Sequence, residues 1–225
     1  MKTILLRGID EPIQVGKIIC IGQNYAEHAK EMKFDVPKSP IFFLKPPTAI
    51  IKSGEKIILP SISSDVHHEV ELTVLIGKDG KNIPREKAFE HVTGYGIGLD
   101  MTMRDVQLEA KKKGLPWALA KGFDTSAPLS EFIPAAKIGN PNSLQVMLRI
   151  NGSVRQSCST DKLIFPVDVL ISYISQFISF ERGDVIYTGT PEGVSRINSG
   201  DVLEAALQDS NGNSLVTLTA FAQNQ

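Results

Sequence analysis

Two glutamates separated by one residue lie in a segment that alternates as a β-strand does. In this strand Glu69, Glu71 and Thr73 would lie on one face. The opposite face would be apolar, with Val70, Leu72, Val74 and Ile76. Strand geometry places the two carboxylates roughly 6.6 Å apart. Like charges so close repel, unless a cation lies between them or one is protonated. The alternative is a solvated strand face, which is the commoner explanation of such a pattern alone.

A second segment could add a third carboxylate. Glycine occupies every second position of Gly94-Tyr95-Gly96-Ile97-Gly98-Leu99-Asp100, so one face of this predicted strand is bare. Glycine weakens strands, and this pattern predicts that some group approaches the backbone closely there. Asp100 falls on the bare face, although it could instead simply begin the next helix. Together with Glu69 and Glu71 it would make three hard oxygen ligands, which favour Mg²⁺ or Mn²⁺.

Zinc is a poorer candidate for this segment of the chain. His67 and His68 are adjacent, so in a strand they point to opposite faces and cannot make a paired zinc site. We interpret them as core residues or as supports of other site residues.

A histidine and a glutamate could activate water. His28 and Glu31 are three residues apart in a short predicted helix, Asn24 to Met32, and share one of its faces. A carboxylate beside an imidazole raises its basicity and fixes its tautomer. The alternative is a surface charge pair, which the sequence alone favours. The chain has neither a Gly-x-Ser-x-Gly motif nor an activated cysteine, so a covalent nucleophile is unsupported.

Further polar residues could bind a substrate. Arg104 and Gln107 are three residues apart on a predicted helix, where they could hold substrate oxygens or simply form an exposed face. Lys121 could stabilise an enolate or carbonyl oxygen. Gly189 and Thr190 follow a predicted strand and could form an anion nest for a substrate carboxylate, or only a turn.

The elements that must position these residues are mostly short apolar strands. Asn151-Gly152 predicts a hairpin turn, and the Pro-rich stretch from Pro37 to Pro47 predicts extended or turning chain. The predicted strands are Lys17 to Ile21, Lys56 to Leu59, Val70 to Ile76, Leu144 to Ile150, Asp184 to Tyr187 and Leu215 to Ala220.

Helical patterns are fewer. Thr102 to Lys113 predicts a helix, with Thr102-x-x-Asp105 as a variant of the capping box and Gly114 as its stop. Val167 to Phe177 predicts another, with one buried face. The mixture predicts an α+β fold dominated by β-structure.

Composition narrows the class of protein. The chain has 225 residues with 42% hydrophobic residues, which suits a single globular domain. Its net charge of −1 gives no basic excess for nucleic-acid binding, and no segment predicts a membrane span. Cys20 lies in an apolar run and reads as a core residue, and two cysteines are not a disulfide framework. With too few N-terminal apolar residues for a signal peptide, we expect a cytoplasmic protein.

At these residues the sequence resembles the fumarylacetoacetate hydrolase family, in its short single-domain branch. The matching segments run in family order over nearly the whole chain, and their combination is more specific than any one of them. They are Ile21-Gly22-Gln23-Asn24-Tyr25-Ala26-Glu27-His28, His67-His68-Glu69-Val70-Glu71-Leu72, Gly98-Leu99-Asp100-Met101-Thr102, Leu115-Pro116-Trp117-Ala118-Leu119-Ala120-Lys121-Gly122-Phe123-Asp124 and Thr188-Gly189-Thr190-Pro191-Glu192-Gly193-Val194.

The resemblance implies a structure and a metal site. It implies a mixed β-sandwich roll: one catalytic domain over residues 1–225 with a small N-terminal β and lid region at about 1–60, the segment up to Pro37 resembling a mobile lid. It also implies a homodimer and Mg²⁺ or Mn²⁺ on Glu69, Glu71 and Asp100.

The resemblance further implies the chemistry. The expected substrate is a small 2,4-dioxo acid of the acylpyruvate or fumarylpyruvate type, and His28 with Glu31 would activate water for C–C hydrolysis that releases pyruvate. The alternative is an oxaloacetate decarboxylase, or a tautomerase or isomerase of oxaloacetate or a hydroxymuconate-type acid, which needs the same electron sink. A noncatalytic β-rich binding module with an acidic patch is the remaining possibility.

Overall fold

The computed structural model describes residues 2–31 and 35–225, and strands dominate them. The strands are β1 Thr3–Ile4, β2 Ile13–Gln14, β3 Ile18–Gly22, β4 Ile41–Lys45, β5 Ile50–Lys52, β6 Lys56–Leu59, β7 Val66–His67, β8 Val70–Ile76, β9 Val92–Leu99, β10 Thr102–Met103, β11 Ala127–Leu129, β12 Ile133–Pro134, β13 Gln145–Ile150, β14 Ser153–Ser159, β15 Val185–Tyr187, β16 Val202–Gln208 and β17 Ser214–Asn224.

Helices are short and lie between the strands. The α-helices are α1 Ala26–Glu31, α2 Arg104–Lys113, α3 Ala118–Lys121 and α4 Val167–Ser175. Single 3₁₀ turns lie at Pro47–Ala49, Ala135–Lys137, Pro141–Ser143 and Thr160–Lys162, with a longer 3₁₀ segment at Arg85–His91.

Two mixed sheets make up most of the fold. The larger has eight strands in the order β4-β3-β15-β8-β9-β11-β5, with β12 also pairing with β9. The smaller has five in the order β14-β13-β16-β17-β6, and β7 pairs with β10 as a separate ribbon. Parallel pairs such as β3 with β15 occur beside antiparallel pairs such as β8 with β9. The predicted β-dominated α+β fold, a mixed β-sandwich roll, is confirmed.

Both faces of the larger sheet are buried. Val70, Leu72 and Val74 pack in the main core, which includes residues of β13, β16, β17 and α4. The opposite face packs in a second cluster that includes Cys20 and Tyr187. Every residue of β8 is buried, so its carboxylate-bearing face is not the solvated strand face that the sequence left as an alternative. A buried carboxylate needs a compensating charge.

The bare face of β9 is covered by the protein's own side chains. A Cβ added at Gly98 would lie 2.5 Å from the Tyr187 ring, and one at Gly96 would lie 2.9 Å from Ser130 Oγ and from Thr73 Oγ1. The predicted close approach to the backbone is therefore confirmed, and these neighbouring side chains make it.

Most predicted elements lie within a few residues of their predicted bounds. The strands Lys56–Leu59 and Val70–Ile76 have the predicted bounds, whereas the last strand extends to Asn224. Asn151 and Gly152 both have positive φ, 51° and 78°, as a type I′ hairpin turn requires.

The start of α2 differs from the prediction. Thr102 pairs with His67 in the β7–β10 ribbon, and α2 begins at Arg104 without a side-chain cap. The predicted capping box is wrong, because Asp105 instead accepts hydrogen bonds from Ser63 Oγ at 2.7 Å and Ser64 N at 3.0 Å. Gly114 ends the helix as predicted, with φ 66°.

The first helix begins later than predicted, at Ala26. Its predicted end at Met32 and part of the lid expected up to Pro37 lie outside the described residues. Within residues 2–31 and 35–225, no helix combines the length and the apolar character that crossing a membrane would need.

Candidate active site with a carboxylate cluster

Three buried carboxylates converge between β8 and β9. Glu69, Glu71 and Asp100 are 5%, 1% and 1% exposed, and one oxygen of each lies within 4.8 Å of the others. Glu71 is opposite Gly98 in the β8–β9 register, and Asp100 N donates to Glu69 O at 2.8 Å just beyond both strands. This antiparallel pairing brings the carboxylates together, as the sequence predicted.

Three cations surround the carboxylate cluster. Lys121 Nζ lies 2.7 Å from both Glu69 Oε2 and Asp100 Oδ2. Arg104 donates to Glu69 Oε1 at 2.5 Å, and Lys45 Nζ lies 2.8 Å from Asp100 Oδ1. Formal charges of the three carboxylates and the three basic side chains therefore balance.

Burial and these neighbours shift the pKa values in opposite directions. Burial would raise the pKa of Glu69, but Lys121 and Arg104 outweigh it and hold that pKa well below its usual range. Burial, then the charges of Asp100 and Glu69, raise the pKa of Glu71 well above its usual range. Lys121 keeps a raised pKa because Asp100 and Glu69 outweigh its burial. Glu71 is thus the carboxylate with the largest shortage of positive charge.

The donor set fits a hard divalent cation. The oxygen separations approach the ~4 Å that two ligands span across Mg²⁺, given bonds of about 2.0–2.1 Å. Lys121 already bridges two of the carboxylates, so the position attracts positive charge. Among the described residues, Asp100 Oδ1 has the Lys45 ammonium 2.8 Å away but accepts no hydrogen bond, and Arg104 Nε is buried without a partner. Glu69, Glu71 and Asp100 could therefore hold Mg²⁺ or Mn²⁺.

Lys45 is a site residue that the sequence analysis missed. Its ammonium is completely buried and donates to Ser126 O and Ser126 Oγ at 3.0 Å, to Met101 O at 3.2 Å and to Lys121 O. It thereby joins the backbone around Asp100 to the end of α3. The available signal was a lysine ending the apolar strand Ile41–Lys45, directly before a proline pair.

The predicted pair of His28 and Glu31 is present in the structure. His28 Nδ1 lies 3.1 Å from Glu31 Oε2, and His28 is 7% exposed. Gly193 N donates to both Glu31 oxygens, at 3.1 and 3.3 Å. His28 lines a pocket together with Glu69 and Lys121. The imidazole and the Glu69 carboxylate therefore face one space.

Arg104 and Gln107 lie on the inner face of α2. They are 5% and 3% exposed, and Arg104 Nη1 donates to Gln107 Oε1 at 2.7 Å. The exposed helix face that the sequence left open is thus excluded. Both residues line the pocket, whose volume is only about 30 Å³ because Arg104 and Lys121 extend across it to Glu69. A ligand must therefore exchange contacts with these cations.

The loop after β15 supports the site in two ways. Gly189 N donates to Glu71 Oε2 at 2.6 Å, so it holds a candidate metal ligand, and its predicted contact with substrate stays a prediction. Thr190 lines the pocket, and its Oγ1 accepts from Gln156 Nε2 at 2.8 Å. Since that hydroxyl oxygen accepts from Gln156, its own O–H can donate elsewhere.

Gln156 and Asn24 are two further buried residues that the sequence analysis missed. Gln156 Oε1 accepts from Val70 N at 3.0 Å, which ties β14 to the start of the carboxylate strand. Asn24 Nδ2 donates to Thr188 O at 2.7 Å and anchors the chain before α1. Single amides carry no sequence pattern that predicts such contacts.

The adjacent histidines are not in the carboxylate cluster. His68 Nδ1 bonds Gln156 Oε1 and His68 Nε2 bonds Ser195 Oγ, both at 2.9 Å, while His67 Nε2 bonds Asp65 at 2.9 Å. Burial lowers the pKa of His68 to about 4, so its imidazole is neutral at pH 7. His68 contacts Gln156, which accepts from Val70 N, whereas the supporting role expected of His67 stays a prediction.

Known proteins resemble this chain over most of its length. The sequence model of the family described as fumarylacetoacetate (FAA) hydrolase C-terminal matches residues 17–220. Oxaloacetate tautomerase FAHD1, mitochondrial, of Mus musculus is 49% identical over 190 residues, which cover 84% of this chain and 86% of the mouse protein.

Solved structures share the fold. Fumarylpyruvate hydrolase from Pseudomonas aeruginosa, in complex with Mn²⁺ and pyruvate, is similar with a TM-score of 0.91 and 38% identity, covering 100% of this chain and 96% of that one. 5-Carboxymethyl-2-hydroxymuconate delta-isomerase from Mycobacterium smegmatis has a TM-score of 0.82 and 39% identity, covering 95% and 81%. The chain belongs to the fumarylacetoacetate hydrolase family.

Proposed function

We propose that this protein is a divalent-metal-dependent hydrolase that cleaves a C–C bond of a small 2,4-dioxo acid, of the acylpyruvate or fumarylpyruvate type. The observation that carries the proposal is the His28–Glu31 pair, whose imidazole lines one pocket with Glu69, Arg104 and Lys121. The family to which the chain belongs consists of metal-dependent hydrolases, lyases and isomerases that act on oxo acids.

Glu69, Glu71 and Asp100 hold Mg²⁺ or Mn²⁺ in this proposal. The bound cation supplies Lewis-acid polarisation of the 2-oxo group. The similar Pseudomonas hydrolase, which was solved with Mn²⁺ and pyruvate, supports this choice of metal and ligand class.

The other pocket residues bind and orient the substrate. Arg104 and Gln107 donate to its 1-carboxylate, and the buried Arg104 Nε is a donor that is available for this. Thr190 Oγ donates its proton to a substrate oxygen. The Lys121 ammonium offsets negative charge that develops on a carbonyl oxygen during the reaction.

His28 acts as the general base. Glu31 accepts from Nδ1–H and so leaves Nε2 to take a proton from water. Water oxygen attacks C4, the C3–C4 bond breaks, and its electron pair passes into the pyruvate enolate. Protonation of C3 then gives pyruvate and the carboxylic acid of the acyl part, so one water is consumed.

Oxaloacetate tautomerisation or decarboxylation is the second candidate. The mouse relative, 49% identical, is named as an oxaloacetate tautomerase. Tautomerisation needs a base that moves a proton at C3, and decarboxylation needs chiefly the same stabilisation of an enolate. The basic residues of the pocket serve both reactions.

The test is a parallel assay of the purified protein with Mg²⁺ or Mn²⁺. Its substrates are an acylpyruvate, fumarylpyruvate, oxaloacetate and enol-oxaloacetate. We expect metal-dependent release of pyruvate from the 2,4-dioxo acids to have the largest kcat/KM. Faster turnover of either form of oxaloacetate would make the second candidate the native reaction. No turnover of any substrate would favour a noncatalytic binding module.

Two further predictions accompany the function. We propose a homodimer, supported by exposed apolar side chains around α3 such as Leu119 and Leu115, which are 74% and 55% exposed. We also propose a cytoplasmic location, supported by the two free thiols of Cys20 and Cys158, which suit a reducing compartment. A monomer mass in light scattering at micromolar concentration would contradict the first, and localisation of the tagged full chain tests the second.

A further inference from the structure

One charged residue of the pocket has no role in the proposed reaction. Lys111 lies on α2 at the fourth residue after Gln107 and the seventh after Arg104, so the three share a helix face. With a rise of about 1.5 Å per residue, Lys111 lies ~6 Å beyond Gln107 along the helix axis. All three side chains line the pocket, and Lys111 marks the end away from Arg104.

An aromatic pair connects the two ends of the pocket. Lys121 Nζ lies 5.1 Å from the centroid of the Phe43 ring, beside the carboxylates. The Phe43 and Trp117 rings meet edge to face with centroids 5.7 Å apart. Lys111 Nζ lies 4.9 Å from the centroid of the Trp117 ring. Two ammonium groups therefore flank one aromatic wall, and the Lys121 ammonium hydrogen-bonds to Glu69 and Asp100.

The charge at the far end favours an anion. Burial, and then the charges of Arg104 and Lys121, lower the pKa of Lys111 to about 8. The side chain is therefore mostly protonated at pH 7, in a place where like charges oppose it. A bound carboxylate would relieve this repulsion.

We propose that Lys111 binds the second, distal carboxylate of the substrate and makes the site selective for dicarboxylic 2-oxo acids. This inference rests on the proposed function, because Arg104, Gln107 and the carboxylate cluster hold the 2-oxo acid end. The spacing of Arg104, Gln107 and Lys111 along α2 lets one face of this helix contact both ends of a short ligand. Lys111 is then a specificity-determining residue, which touches the substrate away from the reacting carbonyl.

A purely structural role predicts a different pattern. A cation over an aromatic ring is attracted by the negative face of the ring and stabilises the packing around it. If Lys111 only supported Trp117, its loss would weaken every ligand to the same extent. Selectivity for the distal carboxylate predicts instead that the loss depends on the ligand.

The experiment uses two unreactive ligands that differ only at the distal end. 2-Oxoglutarate and 2-oxopentanoate have the same chain length, and one ends in a carboxylate where the other ends in a methyl group. Trp117 is the single tryptophan of the chain, so its fluorescence reports binding next to Lys111. Titrations use the full chain with saturating Mg²⁺. We expect 2-oxoglutarate to bind about 10-fold more tightly, the lower end for a hydrogen bond to a charged group.

The variants separate the two explanations. In Lys111→Gln the ratio of the two dissociation constants should fall close to 1, and Lys111→Arg should restore most of it. Lys112→Gln removes the same charge from an exposed neighbouring position and should keep the wild-type ratio. The proposal is overturned if the wild type shows no preference, or if Lys111→Gln keeps it.

A kinetic comparison keeps the inference distinct from the proposed function. Lys111→Gln should raise KM for fumarylpyruvate relative to acetylpyruvate by about 10-fold, with little change in the ratio of kcat values. Equal changes for both substrates would overturn the proposal. If no 2-oxo acid is turned over, the proposed function fails, while the fluorescence titrations still decide the role of Lys111.

Discussion

The carboxylate cluster and the helix that carries His28 are built in opposite ways. Glu69, Glu71 and Asp100 are almost completely buried, and Lys45, Arg104, Lys121 and Gly189 N hold their oxygens. In the described part of the chain, the side chains of His28 and Glu31 make polar contacts with each other and with Gly193 N alone. The Glu31 side chain is 35% exposed.

The difference separates two requirements of the chemistry. A cluster of charges must be fixed before a ligand arrives, since reorganising it during the reaction would cost free energy. A base must reach a water molecule and still let substrate enter and leave, which suits a short helix with few restraints. We therefore expect changes in the cluster to affect both stability and activity, and changes in α1 to affect mainly activity.

The largest expected effect comes from removing one charge of the cluster. Asp100→Asn keeps the shape of the side chain but loses the charge that faces Lys45 and Lys121. We expect kcat/KM to fall by about 10³-fold or more, at the upper end for loss of one electrostatic contact. The measurement is a steady-state assay with circular dichroism as the control for folding. Glu69→Gln and Glu71→Gln should behave alike.

Chelation tests the same hypothesis without mutation. Exhaustive removal of divalent cations should abolish turnover, and Mg²⁺ or Mn²⁺ should restore it. Full activity after chelation, or in any two of the three variants, would rule out the metal site.

The base on α1 should matter for hydrolysis above all. His28→Ala should lower acylpyruvate hydrolysis by about 10²–10⁴-fold, the usual contribution of a general base. Glu31→Gln should be milder, because the imidazole remains and only its orientation and basicity are affected. Oxaloacetate decarboxylation should fall much less, since Lys121 and the cluster remain. Saturating Mn²⁺ assays of both reactions measure this.

Two outcomes would change the picture of α1. Unchanged hydrolysis in His28→Ala would show that the base lies elsewhere. An equal fall in both reactions would indicate that α1 matters for closing the site rather than for taking a proton.

Lys45 should reveal how strongly the cluster depends on its balance of charge. Lys45→Met leaves Asp100 with fewer buried partners, and breaking a buried pair costs about 3–5 kcal/mol. The free energy of unfolding from urea titration measures this loss. Lys113→Met is the control, because its pair with Glu109 is exposed and should contribute little to stability. Similar losses in the two variants would contradict a tightly held cluster.

The balance of charge also predicts coupling between metal and substrate. The six charged groups of the cluster already balance, so a divalent cation leaves an excess that an anionic 2-oxo acid offsets. Saturating pyruvate should therefore tighten Mg²⁺ binding by about 5–150-fold, and Mg²⁺ should tighten pyruvate binding by the same factor. Isothermal titration calorimetry measures both. Independent binding of the two would refute the coupling.

The smallest effect should come from the contact that anchors α2 beside the cluster. Burial opposes ionisation of Asp105, but its hydrogen bonds from Ser63, Ser64 and Val106 outweigh that and lower its pKa below 3.8. Because the folded pKa is depressed, the stabilisation is present above pH 3.8 and is lost as pH falls through the folded value. Asp105→Asn should cost up to about 1 kcal/mol at pH 7. Urea titrations at several pH values should show this difference shrinking below pH 3.8.

Much of the local structure followed from the sequence alone. The alternation of polar and apolar residues predicted the strand Val70–Ile76. The turn preference of Asn151-Gly152 predicted a hairpin, and Gly114 predicted the end of a helix. These signals depend on residues that are neighbours along the chain. The resemblance to a family pointed to the carboxylates and to the His28–Glu31 pair, and the structure brings His28 and Glu69 to one pocket.

Contacts between distant segments were decided by the tertiary structure. Lys45 reaches Asp100 only because the tertiary fold brings the end of β4 beside α3 and Asp100, although β4 and β9 are not neighbours in the larger sheet. Thr102 lies in a ribbon rather than a helix because pairing with His67 outweighs its capping tendency. Gly189 N donates to Glu71, because this buried carboxylate needs a hydrogen-bond donor. Sequence periodicity describes which face a residue takes, whereas the packing of both sheet faces decides which charges must meet there.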